Sequence, residues 1–159
     1  MSPLVLLAML TVGAAEPDSN VLAGIELSGG AVQPVYFGVK GSIGLRFGPV
    51  RFGAQLRGPF ALELGGFFTV DLVRAQLESR LSIALFTGFE VMGRLWGTQW
   101  SAVTLGVFGV RALGICLGFA GGADFRGGVV GNVEARLGVE LVELITFFKL
   151  QSEASQPAF

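Results

Sequence analysis

The side chains that most often carry catalysis and metal binding are scarce in this chain. It has 159 residues with no histidine and a single cysteine, Cys116. The most common general base, the most common metal ligand and any intramolecular disulfide are therefore missing. Asp71 and Asp124 are candidates for a paired-carboxylate site, but their spacing does not support one and a salt bridge is the better interpretation. Neither Gly121-Gly122 nor Gly127-Gly128 has the sequence context of a phosphate-binding loop. We expect no enzymatic activity, no cofactor and no metal site.

The charged residues follow a two-residue rhythm and nearly cancel. The chain has 11 basic and 12 acidic side chains, a net charge of -1, so no basic surplus exists to bind nucleic acid. Sixteen of them fall in phase on the face opposite the apolar one, eight of each sign: Glu26, Lys40, Arg46, Arg51, Arg57, Glu63, Asp71, Glu78, Arg80, Glu90, Arg94, Asp124, Arg126, Glu134, Arg136 and Glu140. The other seven fall at the N-terminus, at turns or in the tail: Glu16, Asp18, Arg74, Arg111, Glu143, Lys149 and Glu153.

Alternation of apolar and polar residues predicts β-strands along most of the chain. The segment Val35–Phe47 shows it best, with Val, Phe, Ile and Leu on one face and Lys, Ser, Gly and Arg on the other. Val103, Leu105 and Val107 form a weaker stretch of the apolar face, and a less regular segment at 144–150 ends the series. Because no helical block of 10–15 residues separates the strands, a parallel βαβ arrangement is excluded. The pattern indicates an all-β protein, an antiparallel up-and-down meander.

The number of strands depends on two junctions. The alternation continues in phase across Gly58-Pro59 and across Thr87-Gly88, and each is either a tight turn or a kink inside one longer strand. Eight strands of about 12–14 residues use the length comfortably, and ten shorter ones also fit. Closed bacterial barrels have an even number of strands, so an even number is favoured here, and we predict eight.

The identity of the inner face decides between two classes of protein. About 45 residues, many of them Phe, Leu, Ile and Val, lie on the apolar face, which would overfill the interior of an eight-stranded barrel. The other face combines Gly and Ala with charged pairs, which suits a narrow lumen. We therefore predict a transmembrane barrel whose apolar face meets lipid and whose lumen is closed by paired Arg and Glu/Asp. The alternatives are a secreted, soluble, lipocalin-like barrel that binds a hydrophobic ligand, and a narrow outer-membrane pore.

Aromatic residues near the predicted strand ends fit a membrane boundary. Trp96 and Trp100 bracket a short polar turn, Tyr36 opens a strand, and several Phe residues, Phe86 among them, lie near other ends. Tyr and Trp collect where the bilayer meets water. We predict Tyr36, Trp96 and Trp100 as interface residues.

The first fifteen residues read as an export signal. Leu4–Val12 is an apolar run too short to span a bilayer as a helix, and Gly13-Ala14-Ala15 supplies small residues for cleavage. We divide the chain into a signal peptide at 1–15, a β-barrel domain at 16–150 and a C-terminal tail at 151–159.

The chain resembles the small bacterial outer-membrane β-barrels of the OmpA/OmpX type. The resemblance rests on the Leu4–Ala15 signal, the alternating strands from about Val21 to Leu150, and the terminal Phe159. It implies a bacterial outer-membrane location, outer-membrane lipid as partner, and a structural, adhesive, enzymatic or pore-forming task. Barrel hydrolases and acyltransferases of this class rely on His, and the connections look too short for adhesion. We expect a structural or interaction role.

Overall fold

The structure is a computed structural model that describes residues 20–30, 36–59, 61–76, 81–125 and 127–154, with the backbone alone at 36, 76, 96 and 154. The predicted signal peptide and the last residues of the tail lie outside this part of the chain. Eight strands are followed by one helix, α1: β1 Val21–Gly30, β2 Tyr36–Phe47, β3 Val50–Pro59, β4 Leu62–Gln76, β5 Ser82–Trp96, β6 Gln99–Ala112, β7 Ile115–Asp124, β8 Val130–Glu140 and α1 Leu141–Ala154.

The strands form a closed antiparallel barrel in which each pairs with its neighbours in sequence and β1 pairs with β8. The predicted eight-stranded up-and-down barrel is confirmed. Thr87-Gly88 lies inside β5, whereas Gly58-Pro59 ends β3. Closure leaves no sheet edge exposed.

Close backbone approach explains several glycines whose side of the sheet faces inward. Gly44 in β2 and Gly53 in β3 are cross-strand partners. A Cβ on Gly53 would fall well inside contact distance of the Ile43 carbonyl oxygen, and one on Gly44 would meet the Phe52 carbonyl in the same way. Inward glycines of this kind allow a sheet to curve tightly enough to close.

A bulge in β4 changes the alternation near its end. The pairing with β5 shifts between Asp71 and Val73, so Leu72 is the extra residue. Leu72 and Val73 are both exposed on the outside, while Asp71 is buried inside. The bulge thus keeps an aspartate in the lumen and two successive apolar residues on the exterior.

The segment at 144–150, predicted as a last, less regular strand, is part of helix α1, so that strand prediction is wrong; the last strand of the barrel, β8, ends at Glu140. Pairing of β1 with β8 leaves no edge for a ninth strand, whereas a helix satisfies its own backbone. Leu141, Leu144, Ile145 and Phe148 have helical spacing. The helix packs against β1 and β8, and no helix among the described residues is long and apolar enough to cross a membrane.

The turn between β6 and β7 is shaped to receive this helix. Leu113 and Gly114 both have positive φ, 52° and 85°, as a two-residue hairpin turn requires. A Cβ on Gly114 would lie 2.8 Å from the backbone nitrogen of Leu144 and 3.0 Å from the Glu140 oxygen. Glycine therefore lets the start of α1 press against the turn.

Candidate functional site

The barrel interior is lined by charged side chains that the strand register brings into one row. Cross-strand partners run from Glu26 to Lys40, from Lys40 to Arg57, from Arg57 to Glu63 and from Glu63 to Arg94. Each of these residues lies at an inward position of its strand, so the five charged side chains lie next to one another across strands β1 to β5. The hydrogen bonds of the sheet thus assemble the site.

The larger group of these charges fills the interior from mid-barrel towards the end away from α1, and we call it the far-end cluster. Arg57 donates two hydrogen bonds to Glu134, at 2.7 and 3.0 Å, and Arg136 donates two to Glu90, at 2.7 and 2.8 Å. Such two-pronged pairs are the strongest arginine–carboxylate contacts. The cluster comprises Glu26, Lys40, Arg57, Glu63, Glu90, Arg94, Asp124, Glu134 and Arg136.

Shared partners join these pairs into one network. Lys40 Nζ lies 2.9 Å from both Glu26 and Glu90, and Arg136 lies 2.9 Å from Glu134 while it holds Glu90. Arg94 bridges Glu63 and Asp124 at 2.6 and 2.7 Å. Almost all of these side chains are buried, so removal of one would leave its partner as a buried charge without a counter-charge or hydration.

A second group, the helix-end cluster, closes the interior where α1 begins. It comprises Arg46, Arg51, Asp71, Arg111, Glu140 and Glu143. Arg51 is paired with Glu140, and Arg111 lies 2.9 Å from Asp71.

Glu143, in the first turn of α1, ties the helix to the barrel mouth. Its carboxylate accepts hydrogen bonds from Arg46, Arg51, the Ser82 hydroxyl and the Gly114 backbone N–H. These donors belong to three strands and the β6–β7 turn, so one side chain is held from several sides of the mouth. Burial raises the pKa of Glu143 above its ordinary value, and the neighbouring Glu140 carboxylate raises it further.

Part of the interior is apolar, contrary to the sequence-based assignment of β6. Val103, Leu105 and Val107 point inward, where they pack with Phe86, Met92 and Ala120. Phe86 is not an interface residue, because the Arg111 guanidinium lies 4.6 Å from the centre of its ring inside the barrel. The outward face of β6 instead carries Trp100, Phe108 and Val110.

A cavity of about 100 Å³ lies between the two clusters. Lys40, Glu90 and Arg136 of the far-end cluster and Arg51, Arg111 and Glu140 of the helix-end cluster line it, together with Phe67, Phe86 and Val107. The uncharged polar side chains in its lining are Ser42, Gln55 and Thr69. The described residues contain no group of three or more Cys, Asp or Glu arranged to hold a metal ion.

The exterior of the barrel has the opposite character. Every charged residue within the described strands is at an inward position; Arg74, near the end of β4, is paired with the buried Ala84 and donates a hydrogen bond to the Gly48 carbonyl of the β2–β3 turn. Large apolar side chains cover the outside: Leu27, Phe37, Val39, Ile43, Leu45, Phe47, Phe52, Leu62, Leu64, Ile83, Phe89, Val91, Phe108, Val110, Ile115, Leu117, Phe119, Val133 and Leu137.

The structure places thirteen of the sixteen charged residues predicted to face the lumen inside the barrel. The other three, Glu78, Arg80 and Arg126, lie outside the described residues. Of the predicted interface aromatics, Trp100 is exposed on the outside beside the β5–β6 turn, and the side chains of Tyr36 and Trp96 lie outside the described part.

Two interior charges, Arg111 and Glu143, are among the seven that the sequence placed at the N-terminus, at turns or in the tail and not in the lumen, and for these two that placement is wrong. Arg111 is in phase with Ser101 along β6, and this phase was the available signal. Glu143 had no signal in a strand pattern, because it reaches the lumen from a helix.

Comparison with known proteins gives two solved structures and no family. No protein-family model matches the chain, and no curated protein matches it. The chain is similar to Neisserial surface protein A, with 17% identity, 76% of this chain and 94% of that one covered, and a TM-score of 0.46. It is also similar to a designed transmembrane β-barrel, with 13% identity, 80% of this chain and all of that one covered, and a TM-score of 0.39.

Proposed function

We propose that this protein is an integral β-barrel of the bacterial outer membrane with a structural or interaction role and no enzymatic activity. The observation that carries the proposal is the distribution of side chains, with apolar residues outside the barrel and ion pairs inside it. A folded protein in water normally has the reverse arrangement.

The free energy of transferring the exterior side chains favours lipid over water as their surroundings. A Lys or Arg on the lipid side of a barrel costs about 2–4 kcal/mol at the middle of the bilayer, and the described outward strand positions carry none. A contiguous apolar exterior of this size would also make a protein aggregate in water. A soluble carrier needs a large apolar interior, whereas this interior holds two ionic clusters and a small cavity.

The strand lengths fit the thickness of a membrane. The strands contain 10 to 15 residues. At about 3.3 Å per residue and a tilt of about 40°, such strands span roughly 25–38 Å, which matches the apolar band and its edges. The even number of antiparallel strands agrees with bacterial barrels of this kind.

We further propose that the lumen is closed, which favours a scaffold over a pore. The far-end cluster has four cations and five carboxylates, and the helix-end cluster has three of each. Pores that select ions of one sign carry rings of that charge, which neither cluster forms. The cavity between them is bounded by side chains from both.

Three measurements test the proposal. Membrane insertion predicts that the folded protein migrates faster than the boiled protein on an SDS gel and is recovered with the membrane after envelope fractionation. Identical migration together with recovery in a soluble periplasmic fraction would support a secreted carrier instead. A closed lumen predicts no single-channel conductance in planar bilayers, and steady conductance that changes when Arg51 and Arg57 are neutralised would support a pore.

A further inference from the structure

The cavity between the two clusters contains a polar group that the surrounding protein does not satisfy. Gln55, on β3, is 2% exposed, and neither its amide nitrogen nor its amide oxygen has a hydrogen-bond partner among the described residues. Its cross-strand partners are Ser42 and Gly65, so a hydroxyl and a glycine without a side chain flank the amide. A buried amide left unbonded is costly, so this side chain is prepared for a partner within the cavity.

The charges that line the cavity are already neutralised by one another. Glu90 binds Lys40 and Arg136 on one side, and Arg51 binds Glu140 on the other. A charged ligand would lose its hydration shell on entering the cavity and would find no unpaired charge of opposite sign there, which is unfavourable in a buried site. The occupant that the lining fits is therefore uncharged.

Size and hydrogen bonding narrow the class of occupant. A cavity of about 100 Å³ has the volume of about three water molecules or of one solute of the same bulk. A primary amide offers a donor and an acceptor on adjacent atoms, and its best complement is another planar group with the same pair reversed. Phe67, Phe86 and Val107 supply an apolar wall for the rest of such a molecule.

We propose that this cavity is a binding site for a small uncharged amide- or urea-type solute, recognised by the paired donor and acceptor of Gln55. The proposal goes beyond the membrane-scaffold role and does not depend on it.

Acetamide titration followed by NMR tests the site. The full chain, refolded in detergent micelles with 15N-labelled glutamine, is titrated with acetamide while the side-chain amide signals are recorded. We expect a saturable shift at Gln55 and only a small linear shift at Gln99, which is exposed at the start of β6 and serves as the internal control.

Variants of Gln55 decide whether the amide is responsible. Gln55→Met keeps the length of the side chain and removes both hydrogen-bonding atoms. Its binding is read from the methyl signal of Thr69, another lining residue: this signal should show the saturable shift in the wild type and lose it in the variant. Gln55→Leu repeats the test if the Met variant does not fold. A linear response at Gln55, a shift that persists in these variants, or a Gln55 amide that contacts only water at every acetamide concentration would overturn the site. In each case an unchanged gel shift of the wild type would leave the membrane barrel standing.

Discussion

A lysine placed on the outside of the barrel at mid-height separates a membrane protein from a soluble one. Phe89 is the central residue of the fifteen-residue strand β5, is 55% exposed, and stacks on Phe68 with ring centres 5.4 Å apart. In a bilayer, Phe89→Lys puts a charge near the midplane at a cost of about 2–4 kcal/mol and loses a ring pair worth about 0.5–1.5 kcal/mol. We expect a total loss of about 2.5–5.5 kcal/mol in the free energy of unfolding.

The matched control is the same substitution near the end of the strand. Ile83, the second residue of β5, also points outward, so Ile83→Lys should cost only about 0–1 kcal/mol at the interface. The assay is urea unfolding of protein refolded in phosphatidylcholine vesicles, with the folded fraction read from unboiled gels. In water Phe89→Lys would lose only the ring pair, about 0.5–1.5 kcal/mol, and Ile83→Lys would stay within about 0.5 kcal/mol of zero. A difference between the two variants no larger than the value of the ring pair would therefore refute a lipid-facing exterior.

Three further predictions concern the interior, its backbone and its closed end. Glu134→Leu leaves Arg57 without its two-pronged partner and should cost about 3–5 kcal/mol in urea unfolding, whereas adding Arg57→Met should recover only part of it, because Arg136 has also lost a contact with Glu134; no recovery would mean that the pair is not coupled. Gly53→Ala forces a Cβ into the backbone of the neighbouring strand β2 and should lose about 1–3 kcal/mol in urea unfolding or fail to fold, whereas the outward Gly106→Ala, with its nearest contact at 3.6 Å, should unfold like the wild type; equal free energies of unfolding for the two variants would contradict this. Because the folded pKa of Glu143 is raised above 4.5, the folded protein binds the carboxyl proton of Glu143 more tightly than the unfolded chain does. The free energy of unfolding in detergent should therefore fall as the pH rises from 4.5 through the folded pKa, and Glu143→Gln should abolish this pH dependence. An unchanged pH dependence in the variant would assign it to another group.

The alternation of charged and apolar residues was sufficient to predict most of the interior. In β3 and β8 the sequence numbers of successive inward charges differ by an even number, so one charged position sets the phase of the whole strand. The partners of these charges were not predictable, because Arg57 meets Glu134 only when closure of the barrel brings β3 and β8 to face each other across the lumen.

Strand β6 shows where periodicity alone fails. Both of its faces are largely apolar, since Val103, Leu105 and Val107 fill the interior while Phe108 and Val110 cover the outside. Hydrophobicity therefore carried no phase in this strand, and Arg111 was the only charge that could have set it.

Helix α1 was missed because its residues are as apolar as those of a strand. The difference lies in closure, which leaves no edge for another strand, and in Glu143, which needs a helical turn to reach the mouth of the barrel. Both depend on contacts distant in sequence.

The most direct test of the account measures which solvent surrounds the outward side chains. Single spin labels are placed along β6 at the outward positions 102, 104, 108 and 110 in a Cys116→Ala background, and the protein is refolded in bilayers. Power-saturation EPR then compares collisions with oxygen, which concentrates in lipid, and with a water-soluble nickel chelate. A lipid-facing exterior predicts high oxygen and low nickel accessibility at positions 104 and 108. High nickel accessibility at those positions in a correctly folded barrel would contradict it.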